Sequence, residues 1–178
     1  MPLPPEYNSQ HGGAAIVLGR APGWFEDLDE ALTRTRCDAP IFSVNGGYPD
    51  HYGGVYPVDH VVSTHCHAFP PNRSGTLYHS NKPVASCANV DVRWPLCHIA
   101  GTGSSALLAT AIALLMGFDR VVVVGVSLTG RVETKIDGKT VFHDYAFFRQ
   151  GWHDAFDVLY GRVVSASDGF LKKLFGGF

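Results

Sequence analysis

Arg120-Val121-Val122-Val123-Val124-Gly125 decides the fold. Four consecutive valines leave no polar face, so this is a strand covered on both sides, as inside a parallel sheet. A second run of the same kind, Ala14-Ala15-Ile16-Val17-Leu18-Gly19, also ends in glycine. Working outward from these two, apolar runs alternate with segments of helical period. After Gly19 come Arg20, Ala21, Pro22 and Gly23, then Trp24, Phe25, Leu28 and Leu32 at helical spacing, with acids early and Arg34 and Arg36 late, as the helix dipole favours. Residues 104–117 form an apolar helix that must be sandwiched. Further strands are expected at 40–44, 58–63, 83–86 and 162–165, with a helix over 146–160 and a short helix at the C-terminus. Residues 132–142 alternate around Asp137-Gly138, a hairpin signal.

This alternation predicts a single α/β domain over 1–178: a mainly parallel sheet, helices on both faces, an extended N-terminal arm at 1–12 and a small hairpin or lid insertion at 129–145. Ligands of such sheets sit beyond the carboxyl ends of the strands. The composition bounds the partners. With 178 residues, 14 Lys plus Arg against 16 Asp plus Glu and a net charge of -2, the chain lacks the basic excess of a general nucleic-acid binder. The apolar run at 106–116 is too short to cross a bilayer, and the four cysteines, Cys37, Cys66, Cys87 and Cys97, form no CxxC pair. With a polar, proline-rich start and no secretory pattern, a cytoplasmic setting is expected. Trp94, Trp152, Phe170, Leu171, Leu174, Phe175 and Phe178 are apolar surface for the core or for a second copy in a homo-oligomer.

Three loops carry the candidate chemistry. Gly101-Thr102-Gly103-Ser104-Ser105-Ala106 opens a helix, where free amides and hydroxyls suit a phosphate; the bland reading is a simple helix cap. Its letters match a dinucleotide fingerprint, but the following strand ends Gly125-Val126-Ser127, without the acid that a ribose needs. The Gly19-to-Gly23 loop places Arg20 near any anion held by the backbone, and Asn45, followed by two glycines, offers an amide to a base or sugar. His60, His65, Cys66 and His67 invite a zinc reading, but alternation along a strand scatters them over two faces. Arg149, His153 and Asp157 recur every four residues, giving His153 a carboxylate one turn on and a route to acid-base work; a solvated helix face is the alternative. Tyr145 and His143 precede that helix in a segment expected over the site.

The order strand, GRAPG, helix, strand, Asn45, then GTGSS, helix, MGFDRVVVVGVSL and a helix bearing tyrosine and histidine resembles the bacterial sialyltransferase-like superfamily. That group includes transferases using CMP-sialic acid and, more distantly, 6-hydroxymethylpterin pyrophosphokinase-like proteins. The resemblance runs from Ala14 to Gly176 and implies a Rossmann-like fold. It also implies a nucleotide pocket at Gly19, Ala21, Pro22, Gly23, Asn45, Thr102, Gly103 and Ser104, to which the loop charge of Arg20 and the hydroxyl of Ser105 would add, with His153 as general base and Tyr145 on the phosphate. The chain departs from that pattern at Gly23, where serine is usual, and at Ser127, where an acid is usual. The expected function is transfer from a CMP-sugar or other nucleotide-sugar, with no required metal or other cofactor. The rivals are a pterin or nucleotide diphosphotransferase and a non-catalytic module that binds or sequesters a nucleotide.

Overall fold

The computed structural model describes residues 12–36, 38–45, 56–65, 69, 76–82, 89–94, 104–136 and 139–178. Numbered over these residues, the elements are β1 (Ala14–Leu18), α1 (Trp24–Arg34), β2 (Ile41–Val44), β3 (His60–Val62), β4 (Leu77–Ser80) and β5 (Val92–Arg93). They continue with α2 (Ser105–Leu115), β6 (Arg120–Val124), β7 (Arg131–Ile136), β8 (Lys139–Asp144), α3 (Ala146–Asp154), α4 (Phe156–Leu159), β9 (Val163–Ser165) and α5 (Phe170–Phe175).

Seven strands form one sheet in the order β5-β4-β3-β2-β1-β6-β9, and every pairing is parallel. The chain is a single α/β domain of Rossmann-like form. β1 and β6 lie side by side inside the sheet, Ile16 opposite Val122 and Leu18 opposite Val124. Their alternate residues feed two cores. Ala15, Val17, Val121 and Val123 join Leu108, Ile112 and Ala113 of α2 on one face. Ile16, Leu18, Val122 and Val124 meet Leu28 and Ala31 of α1 on the other. Both apolar runs are buried on both sides, which is why they read as continuous apolar stretches.

β7 and β8 pair antiparallel as a separate ribbon, Arg131 opposite Asp144 and Ile136 opposite Lys139, the hairpin expected around 137–138. Two differences from the sequence reading stand out. The helix expected over 146–160 is broken at Ala155 into α3 and α4. The strand expected at 83–86 falls outside the described residues, while β4 and β5 occupy neighbouring stretches for which no strand is expected from the sequence. Of the apolar set with two readings, Trp94, Trp152, Leu171 and Phe175 are buried in the core, and Phe178 is exposed and lies under the Arg34 guanidinium at 4.8 Å. Among the described residues no helix is long and apolar enough to cross a membrane.

Candidate functional site

The carboxyl ends of β2 and β3 and the start of α2 converge on Asn45. Its backbone has φ of 54°, the left-handed region that asparagine tolerates better than most residues. Its Oδ1 accepts from Ser105 Oγ at 2.6 Å and from Ser63 Oγ at 3.1 Å. Both hydroxyls already accept from the backbone, Ser105 from Thr64 N at 3.1 Å and Ser63 from His65 N at 2.8 Å, so their protons are directed to the amide oxygen. Thr64 Oγ1 lies 3.1 Å from Ser105 Oγ and completes the knot. The network itself orients the Asn45 amide. Its oxygen is saturated, and the NH2 group of this exposed side chain has no partner among the described residues.

Ser104 does what the bland reading anticipated. It is the N-cap of α2, its hydroxyl accepting from Leu107 N at 3.2 Å. Ser105 is buried and spent on the Asn45 knot. Sequence reasoning named Asn45 and Ser105 separately; Ser63 and Thr64, which hold them together, it missed. Thr102 and Gly103 lie outside the described residues. Removing the Ser105 hydroxyl strips Asn45 of its closer donor and Thr64 N of its acceptor. Ser105→Ala is expected to lower folding stability by about 1–3 kcal/mol in urea titration.

The loop of Gly19, Arg20, Ala21, Pro22 and Gly23 sits at the neighbouring strand end and is closed against the β6 loop. Gly19 N donates to Val124 O at 2.7 Å and Ala21 N to Gly125 O at 2.8 Å. A β-carbon on Gly19 would lie 2.3 Å from Gly125 O. Close approach of the two backbones therefore explains Gly19 without an anion. Gly23 caps α1 in the left-handed conformation, φ 84°. Pro22 is exposed beside it, and Arg20 extends into solvent without a partner among the described residues. The acids after this loop are partly withdrawn from it: Asp27 accepts from Ser167 Oγ, whose oxygen in turn takes Gly125 N at 2.6 Å, and Glu30 pairs with Arg34 at 2.8 Å.

On the far side of β1, Arg149 Nη1 donates to Leu128 O at 3.0 Å and pins the β6 loop, with Leu128 at φ 49°. His153 is exposed, its ring edge-on to Phe170 at 5.2 Å. Asp157 does not orient it: the break at Ala155 puts that carboxylate on α4, and no carboxylate bonds to His153 among the described residues. Tyr145 opens α3 half-buried, and burial raises its hydroxyl pKa, so it remains a protonated donor at neutral pH. Asn45 and the β6 loop stand at the ends of strands separated only by β1, about 10 Å apart by two strand spacings.

His60 belongs elsewhere. It starts β3, at the opposite edge of the sheet from His65, and its ring meets His79. Cys66 and His67 lie outside the described residues, among which no group of three His, Cys, Asp or Glu side chains is placed to hold a metal ion. No protein-family model, curated protein or solved structure matches the chain.

Proposed function

We propose that the protein binds a nucleotide or nucleotide-sugar across the carboxyl edge of its sheet and transfers the sugar in a sialyltransferase-like reaction. One observation carries the reading: the Asn45 amide oxygen is held by Ser63 and Ser105, which leaves its N–H donors for a ligand, in a fold whose ligands gather at this edge. Two fixed N–H donors suit the carbonyl and ring-nitrogen acceptors of a base, or a phosphate oxygen. Arg20, solvent-facing on the next loop, supplies positive charge for the phosphate, and Tyr145 supplies a protonated hydroxyl. In the transfer step His153 takes the proton of the acceptor hydroxyl, the acceptor oxygen bonds to the anomeric carbon, and the bond from that carbon to the nucleotide phosphate breaks.

A second reading, nucleotide binding without turnover, is favoured by the state of His153, which has no orienting carboxylate of the kind general bases commonly use among the described residues. Thermal denaturation with CMP, CDP, GTP, NAD and ADP-ribose, with and without magnesium, tests both. A ligand at about 100 times its dissociation constant adds about 2.7 kcal/mol, so a pyrimidine nucleotide should shift the midpoint by several degrees. Asn45→Ala should abolish that shift. If no nucleotide shifts the midpoint, or if Asn45→Ala keeps the response, the reading fails. A His153→Ala variant that binds normally but loses donor hydrolysis or transfer supports catalysis; absence of turnover in the unaltered protein supports the binding module.

A further inference from the structure

We propose that the protein has a second ligand site, at the amino edge of the sheet, that takes a small organic cation with an apolar body. A cavity of about 650 Å³ opens there, lined among others by Asp38, Asp59, His60, Leu77, Met116 and Phe118. These residues precede or begin β2, β3, β4 and β6, so the cavity lies at the other end of the strands from Asn45. Its volume falls within the range of small-molecule pockets.

The wall chemistry selects the ligand. Leu77, Met116 and Phe118 form an apolar surface, and a run of rings continues behind it: Phe118 meets Phe42 edge-on at 6.0 Å, and Phe42 stacks on His60 at 4.2 Å. Two carboxylates share this cavity. Asp59 spends one oxygen, Oδ2, on Ile41 N at 2.9 Å, and Asp38 is exposed at the mouth. Among the described lining residues there is no Lys or Arg. Arg162 is turned to the carbonyl of Phe118 at 3.1 Å, and Asp119 is spent on Gly13 N at 2.9 Å.

His60 adds no positive charge, because its protonation is dictated from behind. Trp94 Nε1, which can only donate, bonds His79 Nδ1 at 3.0 Å. The single proton of neutral His79 therefore sits on Nε2, which meets His60 Nδ1 at 2.9 Å. His60 must accept at Nδ1 and carry its own proton on Nε2, as a neutral ring. Carboxylates, an apolar wall and a ring face without a competing cation attract an ammonium or guanidinium group and repel an anion.

Titration calorimetry and ¹H–¹⁵N spectra of the full chain with phenethylamine, cyclohexylamine, agmatine and choline, against phenethyl alcohol and cyclohexanol as neutral isosteres, test this site. At least one amine should bind and perturb the Gly13, His60 and Phe118 amides, while its alcohol binds at least about tenfold more weakly. Asp59→Asn keeps an acceptor for Ile41 N and should weaken the amine about tenfold; Asp38→Asn, at an exposed position, should weaken it less without disturbing the fold. Asn45→Ala should leave it unchanged, which separates this site from the nucleotide reading. The proposal is overturned if none of the four cations binds at millimolar concentration, if the alcohols bind as well as the amines, or if both aspartate variants retain full affinity.

Discussion

Gly19→Ala will cost about 3 kcal/mol or more of folding stability, the upper end for adding a single methyl group. The added carbon would stand 2.3 Å from Gly125 O and 2.7 Å from Val126 Cγ2, so the ends of β1 and β6 must separate. That motion breaks the bonds from Gly19 N to Val124 O and from Ala21 N to Gly125 O. Gly23→Ala is the control. There φ is 84° but no atom lies within 4 Å of the new carbon, so only backbone strain of about 1 kcal/mol is at stake. Urea titrations of the two variants separate crowding from conformation. Equal midpoints would show that the two loops are not locked together.

Acid will destabilise the protein through His79. Burial, and then the neighbouring His60 ring, lower its pKa to about 3 from an ordinary 6.5. Below about pH 6.5 the unfolded chain takes up a proton that folded His79 refuses. Stability is thus fully present above that pH and is lost steadily as pH falls toward the folded value, at about 1.4 kcal/mol per unit. Between about pH 7 and pH 4 the loss from this group alone is about 3 kcal/mol. The hydrogen bonds explain the refusal: His79 Nδ1 accepts from Trp94 and Nε2 meets His60, so a second proton, on Nδ1, breaks the Trp94 bond. Among the described residues, Phe42 on β2 and Trp94 after β5 pack against the pair, and Phe118 and the carboxylate Asp59 share a cavity with His60. Denaturant titrations across this range read the slope directly. A His79 ¹⁵N resonance titrating near pH 6.5 in the folded state would remove the argument.

The fold was legible where apolar period and burial agree. β1, β6 and α2 are apolar because both their surroundings are apolar, and the pattern says so locally. β4 was not legible, because Leu77-Tyr78-His79-Ser80 puts a histidine and a serine in fully buried positions. Nothing nearby in sequence explains that burial; the partners that satisfy His79 are His60, 19 residues earlier, and Trp94, 15 residues later. β5 has only two residues and too short a pattern to read.

The site divides in the same way. Asn45 and Ser105 were recognised as polar groups at a strand end and a helix start, but their contact joins positions 60 apart and depends on Ser63, a residue with no motif. Conversely, the column of Arg149, His153 and Asp157 was periodic on paper, and the break at Ala155 divides it. Arg149 turned out to hold a carbonyl of the β6 loop, a long-range use that spacing along one helix does not reveal.

The pairing of β1 with β6 also sets the order of events during synthesis. Gly13 and Asp119, joined at the foot of this pair, are 106 residues apart. As the nascent chain leaves the ribosome, β1 through β5 emerge with one flank of β1 bare, and neither core can close until β6 arrives. β1 is synthesised long before β6 yet is enclosed only when β6 arrives, so an arrested chain ending before residue 120 should remain sensitive to protease and dependent on chaperones.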